Sequence, residues 1–164
     1  MKNINFNNLL PNEDSADYKN AKNESPYFFL INYSKAINEK YKGKLKAVVT
    51  ESFQTRTKPG KDDVIRENLI VALYFEAAIG KGYLYRLLEV EQTKSEPYPV
   101  VVNVFQNNPS KLGSFKDHHS FQKNMVDFLG SGFVKTLILN LLAQVELYNE
   151  SRNQKFDWED KLTE

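Results

Sequence analysis

The stretch that most constrains the fold is residues 64–105, because three apolar, β-prone runs follow one another there. The runs are Val64 to Ala78, Tyr83 to Gln92 and Tyr98 to Phe105. Gly80-Lys81-Gly82 separates the first two runs, and glycine reaches the positive φ angles that tight hairpin loops require. We therefore predict antiparallel strands and a hairpin with a two-residue loop at Lys81-Gly82.

A two-residue loop pairs Gly80 with Tyr83 and fixes the register of the whole hairpin. One face of the ribbon is then apolar: Phe75 lies opposite Leu88, Leu73 opposite Val90 and Ile79 opposite Leu84, with one interruption at Arg86 opposite Ala77. The second face is polar and aromatic, and it holds Tyr74, Ala72, Glu76 and Ala78 opposite Glu89, Glu91, Leu87 and Tyr85. This pattern is typical of an antiparallel sheet with one buried and one solvated face.

The competing interpretation is a helix over residues 62–79, which would move the fold to the α/β class. Asp62 and Asp63 are suitable N-caps for such a helix, and Gly80 is suitable just after its end. Seven consecutive apolar residues with the β-branched pair Ile70-Val71 favour a strand, although periodicity alone does not decide a short apolar run.

The remaining chain predicts helices on both sides of the ribbon. Residues 1–24 form a flexible polar arm, Ser25-Pro26 begins a helix that ends near Gly43, and Leu45 to Arg56 alternates as the first strand. Helices over 115–129 and 132–149 follow the last strand, and 150–164 form an acidic tail. We predict one α+β domain over 25–149, with an N-terminal helix, a four-stranded antiparallel meander and two C-terminal helices on one sheet face.

Composition limits the classes of protein but names none. The 164-residue chain is 41% hydrophobic, has a net charge of +1 and contains no cysteine. These values suit an ordinary globular core and exclude disulfides and thiolate sites. Because no apolar run resembles a signal peptide or reaches the length of a membrane span, we expect a cytoplasmic protein without a membrane partner.

The basic segment between Lys35 and Lys61 carries a local charge of +6, which is a candidate contact for phosphates. The candidate phosphate-contacting residues are Lys42, Lys44, Lys46, Arg56, Lys58 and Lys61. The alternative interpretation is that these lysines protect an edge strand against aggregation. A nucleic-acid-binding accessory protein is therefore one candidate function.

The polar face of the predicted hairpin carries three carboxylates, those of Glu76, Glu89 and Glu91. If a divalent cation drew them together, they would suit a metal-dependent nuclease. The spacing of Glu91 and Lys94 opposes this, since residues three apart on a strand point to opposite faces. His118 and His119 are adjacent on a helix and diverge by about 100°. We expect neither a metal nor a cofactor.

No stretch of the chain carries a specific catalytic signature, which favours a non-enzyme. The polar face of the ribbon is more aromatic than a solvated face requires, and such patches usually bind partners. The predicted partner-binding residues are Tyr74, Tyr83, Tyr85, Leu87, Glu89 and Glu91. We predict a protein-interaction module of accessory, adaptor or inhibitor type that binds a protein partner or a second copy through an aromatic–acidic sheet face.

Overall fold

The computed structural model describes residues 16–56, 66–80, 82–93, 96–106 and 108–161. Its elements are α1 (Ala16–Glu24), α2 (Pro26–Lys40), β1 (Leu45–Arg56), β2 (Arg66–Ala77), β3 (Tyr83–Thr93), β4 (Val100–Phe105), β5 (Pro109–Phe115), α3 (His118–Leu129) and α4 (Gly132–Lys161). The strands form one antiparallel sheet in the order β1-β2-β3-β4-β5. The α+β class is therefore confirmed, with five strands in place of four.

The central strand β2 decides between the two interpretations of the ribbon. It pairs with β1 on one side and β3 on the other, so the helical alternative is wrong for residues 66–77. Four consecutive residues of β2, from Ile70 to Leu73, are buried although they alternate between the two faces, which is why periodicity was ambiguous there. Residues 62–65 lie outside the described part of the chain.

The register of the β2–β3 hairpin differs from the prediction. Ala77 pairs with Tyr83, so the connection spans the five residues 78–82, and the expected pairs of Phe75 with Leu88 and Leu73 with Val90 are wrong. Leu73 pairs with Leu88, and Phe75 pairs with Tyr85. The two halves of the hairpin have different registers because a β-bulge interrupts the ladder between them.

This bulge changes which side chains reach each face. Tyr74 pairs with Arg86 and Leu73 with Leu88, which leaves Leu87 as the extra residue. Both leucines are fully buried. One extra residue reverses which face each following side chain points to. Arg86 therefore does not lie on the apolar face that the sequence predicted for it, and Tyr85 lies on that face instead, paired with Phe75.

The fifth strand occupies a stretch to which the sequence assigned no strand, and its last residue is the predicted start of a helix. Most of its side chains are exposed or half-buried, and only Phe115 is buried. A second register shift interrupts its pairing with β4 between Val102 and Asn103. A short, exposed and irregular edge strand lacks the strict alternation from which strands are predicted.

The helices pack on one face of the sheet and form the core with it. Leu30 and Ile37 of α2, Phe121 and Met125 of α3, and a stripe along α4 are buried against that face. The buried residues of the α4 stripe are Val134, Ile138, Leu141 and Val145, as the 132–149 periodicity predicted. Ser131 caps α4, since its Oγ accepts a hydrogen bond from Val134 N at 3.4 Å.

Two helices extend into segments that the sequence assigned to the arm and the tail. Residues 16–24 form α1, which packs on α2, and α4 continues past residue 149 to Lys161. Residues 1–15 and 162–164 lie outside the described part of the chain. The division of the chain into an arm, a domain and a tail stays a prediction.

A side-chain amide joins helix α2 to the edge strand β1. Asn38 Nδ2 donates to Ala47 O at 3.2 Å, and Asn38 Oδ1 accepts from Ala47 N at 2.6 Å. Since β1 is the first strand of the sheet, these backbone groups face away from β2, and the amide supplies the partners that a neighbouring strand would give.

Within the described residues, no single helix is long and apolar enough to cross a membrane. The helices His118–Leu129 and Gly132–Arg152, which meet at a bend of 48°, are together long and apolar enough for a broken membrane span. The apolar stripes of both helices pack into the core.

Candidate functional site

The face of the sheet opposite the helices is the candidate site, and we call it the outer face. The paired registers assign it residues that include the following: Lys46, Val48, Thr50, Ser52, Asn68, Ile70, Ala72, Tyr74, Glu76, Leu84, Arg86, Glu89, Glu91, Val101, Asn103 and Phe105. The described helices direct their buried residues to the other side of the sheet. Side chains on the outer face are therefore positioned by strands alone.

Arg86 lies at the centre of the outer face. Its guanidinium carbon is 4.6 Å from the centroid of the Phe105 ring and 5.8 Å from that of the Tyr74 ring. The guanidinium also forms an ion pair with Glu89, three residues further along β3. Cation–π attraction and the ion pair hold this long side chain in one orientation.

The charges of the outer face are not equally accessible. The Arg86 side chain is 38% exposed and its partner Glu89 only 16%. In the second pair the cation is again the more exposed partner: the Lys46 side chain is 65% exposed and the Glu76 side chain 38%. Lys46 Nζ and Glu76 Oε2 are 4.0 Å apart. The face that the sequence predicted to be aromatic and acidic therefore also carries two cations, each more exposed than the carboxylate beside it.

The three glutamates of the nuclease hypothesis share the outer face, as predicted, but they do not converge. Glu89 pairs with Ala72, and Glu76 stands four residues further along β2, which is roughly 13 Å at the rise of a strand. Glu91 accepts a hydrogen bond from Asn68 Nδ2 at 2.6 Å. Within the described residues, no group of three His, Cys, Asp or Glu side chains could hold a metal ion.

Of the six residues predicted to bind a partner, Tyr74, Glu89 and Glu91 lie on the outer face. The other three do not, because the bulge reverses the alternation. Tyr83 is exposed at the strand end opposite Ala77, and Leu87 is fully buried. Tyr85 packs on the core, and its hydroxyl shares its one proton between Phe105 O at 2.5 Å and Gln106 O at 2.8 Å. Burial raises the pKa of this phenol.

The prediction missed Arg86, which is the central side chain of the site. The sequence did contain a signal, because a charged residue that interrupts an otherwise apolar face indicates a register change. The consecutive leucines Leu87 and Leu88 follow it directly, and two adjacent buried residues on one strand are typical of a bulge.

Part of the basic segment gathers at one end of the sheet. Lys42, Lys44 and Lys46 line a cavity of about 580 Å³ beside the β2–β3 connection. Arg56 ends β1, and its side chain is not described. Lys58 and Lys61 lie outside the described residues. The contact of these residues with phosphate stays a prediction.

The two histidines have different surroundings. His118 Nδ1 donates to Glu24 O at 3.0 Å and lies 3.3 Å from the Tyr98 hydroxyl, which links α1 to α3. His119 is exposed. Asp117 caps α3 by accepting from Ser120 N at 2.8 Å, and this bond lowers the pKa of its carboxyl. The His118 contacts join the end of α1 to the start of α3.

No protein-family model, no curated protein and no solved structure matches the chain significantly.

Proposed function

We propose that this chain is a non-enzymatic binding protein that holds an acidic segment of a partner protein on the outer face of its sheet. The single observation that supports this best is the Arg86 guanidinium fixed between the rings of Phe105 and Tyr74 on a face built by strands alone. Accessory, adaptor or inhibitor function in the cytoplasm, without a membrane partner, remains the broader prediction.

The fixed arginine is suited to binding because its ordering cost is small. A free arginine side chain loses about 2 kcal/mol of rotamer entropy when it is immobilised. Glu89 and the two rings already restrict Arg86 before a partner arrives. Arginine and tyrosine are also the residue types that most often dominate the energy of protein interfaces.

The accessible charges favour an acidic partner. Arg86 and Lys46 are each more exposed than the carboxylate beside them, and Lys46 is the most exposed of the four side chains at 65%. Charge complementarity of this kind guides association and selects among partners. An aspartate or glutamate of the partner would gain a charge-assisted hydrogen bond to the guanidinium.

A protein fits this face better than a nucleic acid does. The same strands carry Glu76, Glu89 and Glu91, which would repel a continuous row of phosphates but leave room for one or two carboxylates. Leu84 is 61% exposed two positions from Arg86 and offers an apolar contact. Mixed apolar and charged contact is typical of protein interfaces.

The test is selection of peptides from a random library displayed on phage, with the full chain immobilised. We expect enrichment of Asp and Glu beside an aromatic or aliphatic residue. The Arg86→Gln variant should bind the selected peptides about tenfold or more weakly, since a charge-assisted hydrogen bond contributes ~1.5–3 kcal/mol. Thermal unfolding of the variant checks that the fold is intact.

The matched control is Arg152→Gln, since Arg152 also lies over a tyrosine ring, 5.9 Å from the centroid of Tyr148, but on α4. The Arg152→Gln substitution should change the affinity for the selected peptides less than about twofold. Equal effects of the two substitutions would contradict the proposal. Tighter, Arg86-dependent binding of a random single-stranded oligonucleotide would make nucleic acid the partner. A dimer that Arg86→Gln dissociates would make it a second copy.

A further inference from the structure

The cavity at the end of the sheet is a second candidate site, separate from the centre of the outer face. It measures about 580 Å³ and lies between the turn that joins α2 to β1 and the loop that joins β2 to β3. Small-molecule sites usually measure about 300–1,000 Å³. We call it the lysine bay, after Lys42, Lys44 and Lys46 on its rim; buried Leu45 and Ala77 also line it.

The two loops that form the bay are held together by backbone contacts. Ala78 N donates to Lys44 O at 3.0 Å, which joins one loop to the other, and Gly82 N donates to Ile79 O at 2.9 Å within the second loop. The bay is therefore formed before any ligand enters, which lowers the ordering cost of binding.

Three glycines line the rim of the bay. Gly43, Gly80 and Gly82 have φ angles of 80°, 57° and 90°, a region that other residues rarely adopt. Beside Gly43 no atom lies within 4 Å of the place where a side chain would begin, so a ligand can approach the loop backbone closely there. The Tyr148 hydroxyl and the Glu76 carboxylate lie next to that place at Gly80 and Gly82.

The lysines of the bay are only weakly neutralised. Lys44 Nζ lies 2.9 Å from Glu146 Oε1 of α4, and both side chains are largely exposed. Lys46 reaches Glu76, a carboxylate that also lines the bay, at 4.0 Å, so the phosphate is assigned to the other two lysines. Lys42 makes no ion pair within the part of the chain that the structure describes. Since exposed ion pairs contribute little free energy, a phosphate can displace a carboxylate from them.

We infer that the lysine bay binds a small phosphorylated molecule. Lys42 and Lys44 hold its phosphate, and the Glu146 carboxylate competes with that phosphate for Lys44. Lysine is a common phosphate ligand because its ammonium group is a compact point charge. A small molecule is favoured over a nucleic acid because the three lysines line one cavity and do not form a track along the sheet. This inference does not depend on the function proposed for the outer face.

The experiment is isothermal titration calorimetry of the full chain with ATP and with inorganic pyrophosphate. We expect saturable binding that Lys42→Gln weakens about five- to tenfold, on the scale where tenfold corresponds to about 1.4 kcal/mol. Lys35→Gln is the matched control, because Lys35 is exposed on α2 and does not line the bay. It should leave the affinity nearly unchanged.

The competing carboxylate gives a test with the opposite sign. Glu146→Gln should strengthen binding a few-fold, whereas Glu150→Gln, one turn further along α4, should not. Equal gains for the two would indicate a general charge effect and would overturn the inference, as would the absence of saturable heat with both probes. Tighter, Lys42-dependent binding of a single-stranded oligonucleotide would assign the phosphates to nucleic acid and also overturn it. Arg86→Gln should leave ATP binding unchanged, which separates this result from the test of the outer face.

Discussion

Replacing Asn38 with alanine should lower the stability of the fold by about 2 kcal/mol. The two hydrogen bonds between the Asn38 amide and the backbone of Ala47 contribute ~1 kcal/mol each, and leaving buried groups unpaired costs more. Alanine is the better helix former and returns roughly 0.5 kcal/mol. Because Asn38 is half-buried, water can reach part of the freed backbone and limits the loss.

The assay is urea denaturation followed by circular dichroism, with thermal unfolding beside it. At this chain length, a loss of about 2 kcal/mol corresponds to a fall in Tm of roughly 4–8 °C. Asn32→Ala is the matched control, because Asn32 is exposed on the same helix. If Asn38→Ala and Asn32→Ala differ by less than about 0.5 kcal/mol, the amide does not stabilise the edge of β1 as inferred.

Three further predictions concern single side chains. Burial raises the pKa of Tyr33 from 10.0 to about 12, so the folded chain holds the phenolic proton more tightly than the unfolded chain does. The free energy of unfolding should therefore fall as the pH rises from 10 towards 12. The Tyr33→Phe variant should show a smaller fall in alkaline denaturation curves. Tyr85→Phe should destabilise the fold by ~1 kcal/mol in urea denaturation but leave peptide affinity unchanged, because Tyr85 packs on the core; a weakened peptide affinity would oppose this placement. The purified chain with Mg²⁺ should not hydrolyse DNA or RNA, and an activity that Glu91→Ala abolishes would show this prediction to be wrong.

The sequence predicted the parts of the fold that depend on burial. The apolar run in β2 was correctly taken as a strand, since consecutive apolar residues with the β-branched pair Ile70-Val71 favour the interior of a sheet. The α4 stripe was correct up to residue 149, but the polar remainder of that helix has no apolar periodicity to indicate it. The bulge at Leu87 was missed because two adjacent leucines do not reveal which of them is the extra residue.

The same bulge explains how far the candidate site was predictable. The predicted pairing between β2 and β3 differs from the observed pairing by two residues on the side of the bulge nearer Glu91. A shift of two residues leaves each side chain on its predicted face, so the prediction was right for Tyr74, Glu89 and Glu91. Beyond it, alternation reverses, so Tyr85 and Arg86 exchanged faces. The difference in exposure between Arg86 and Glu89 depends on side-chain packing, which sequence spacing does not give.

Protection of an engineered thiol tests the central claim most directly, because the chain has no cysteine of its own. Leu84 on the outer face and Leu139 on α4 are 61% and 65% exposed, so cysteines at these positions should react with a thiol reagent at similar rates. With a saturating acidic peptide selected on the wild-type chain, Leu84→Cys should react several-fold more slowly, and Leu139→Cys should be unchanged. Protection of Leu139→Cys without protection of Leu84→Cys would place the partner on the helices and contradict the outer face as the binding surface.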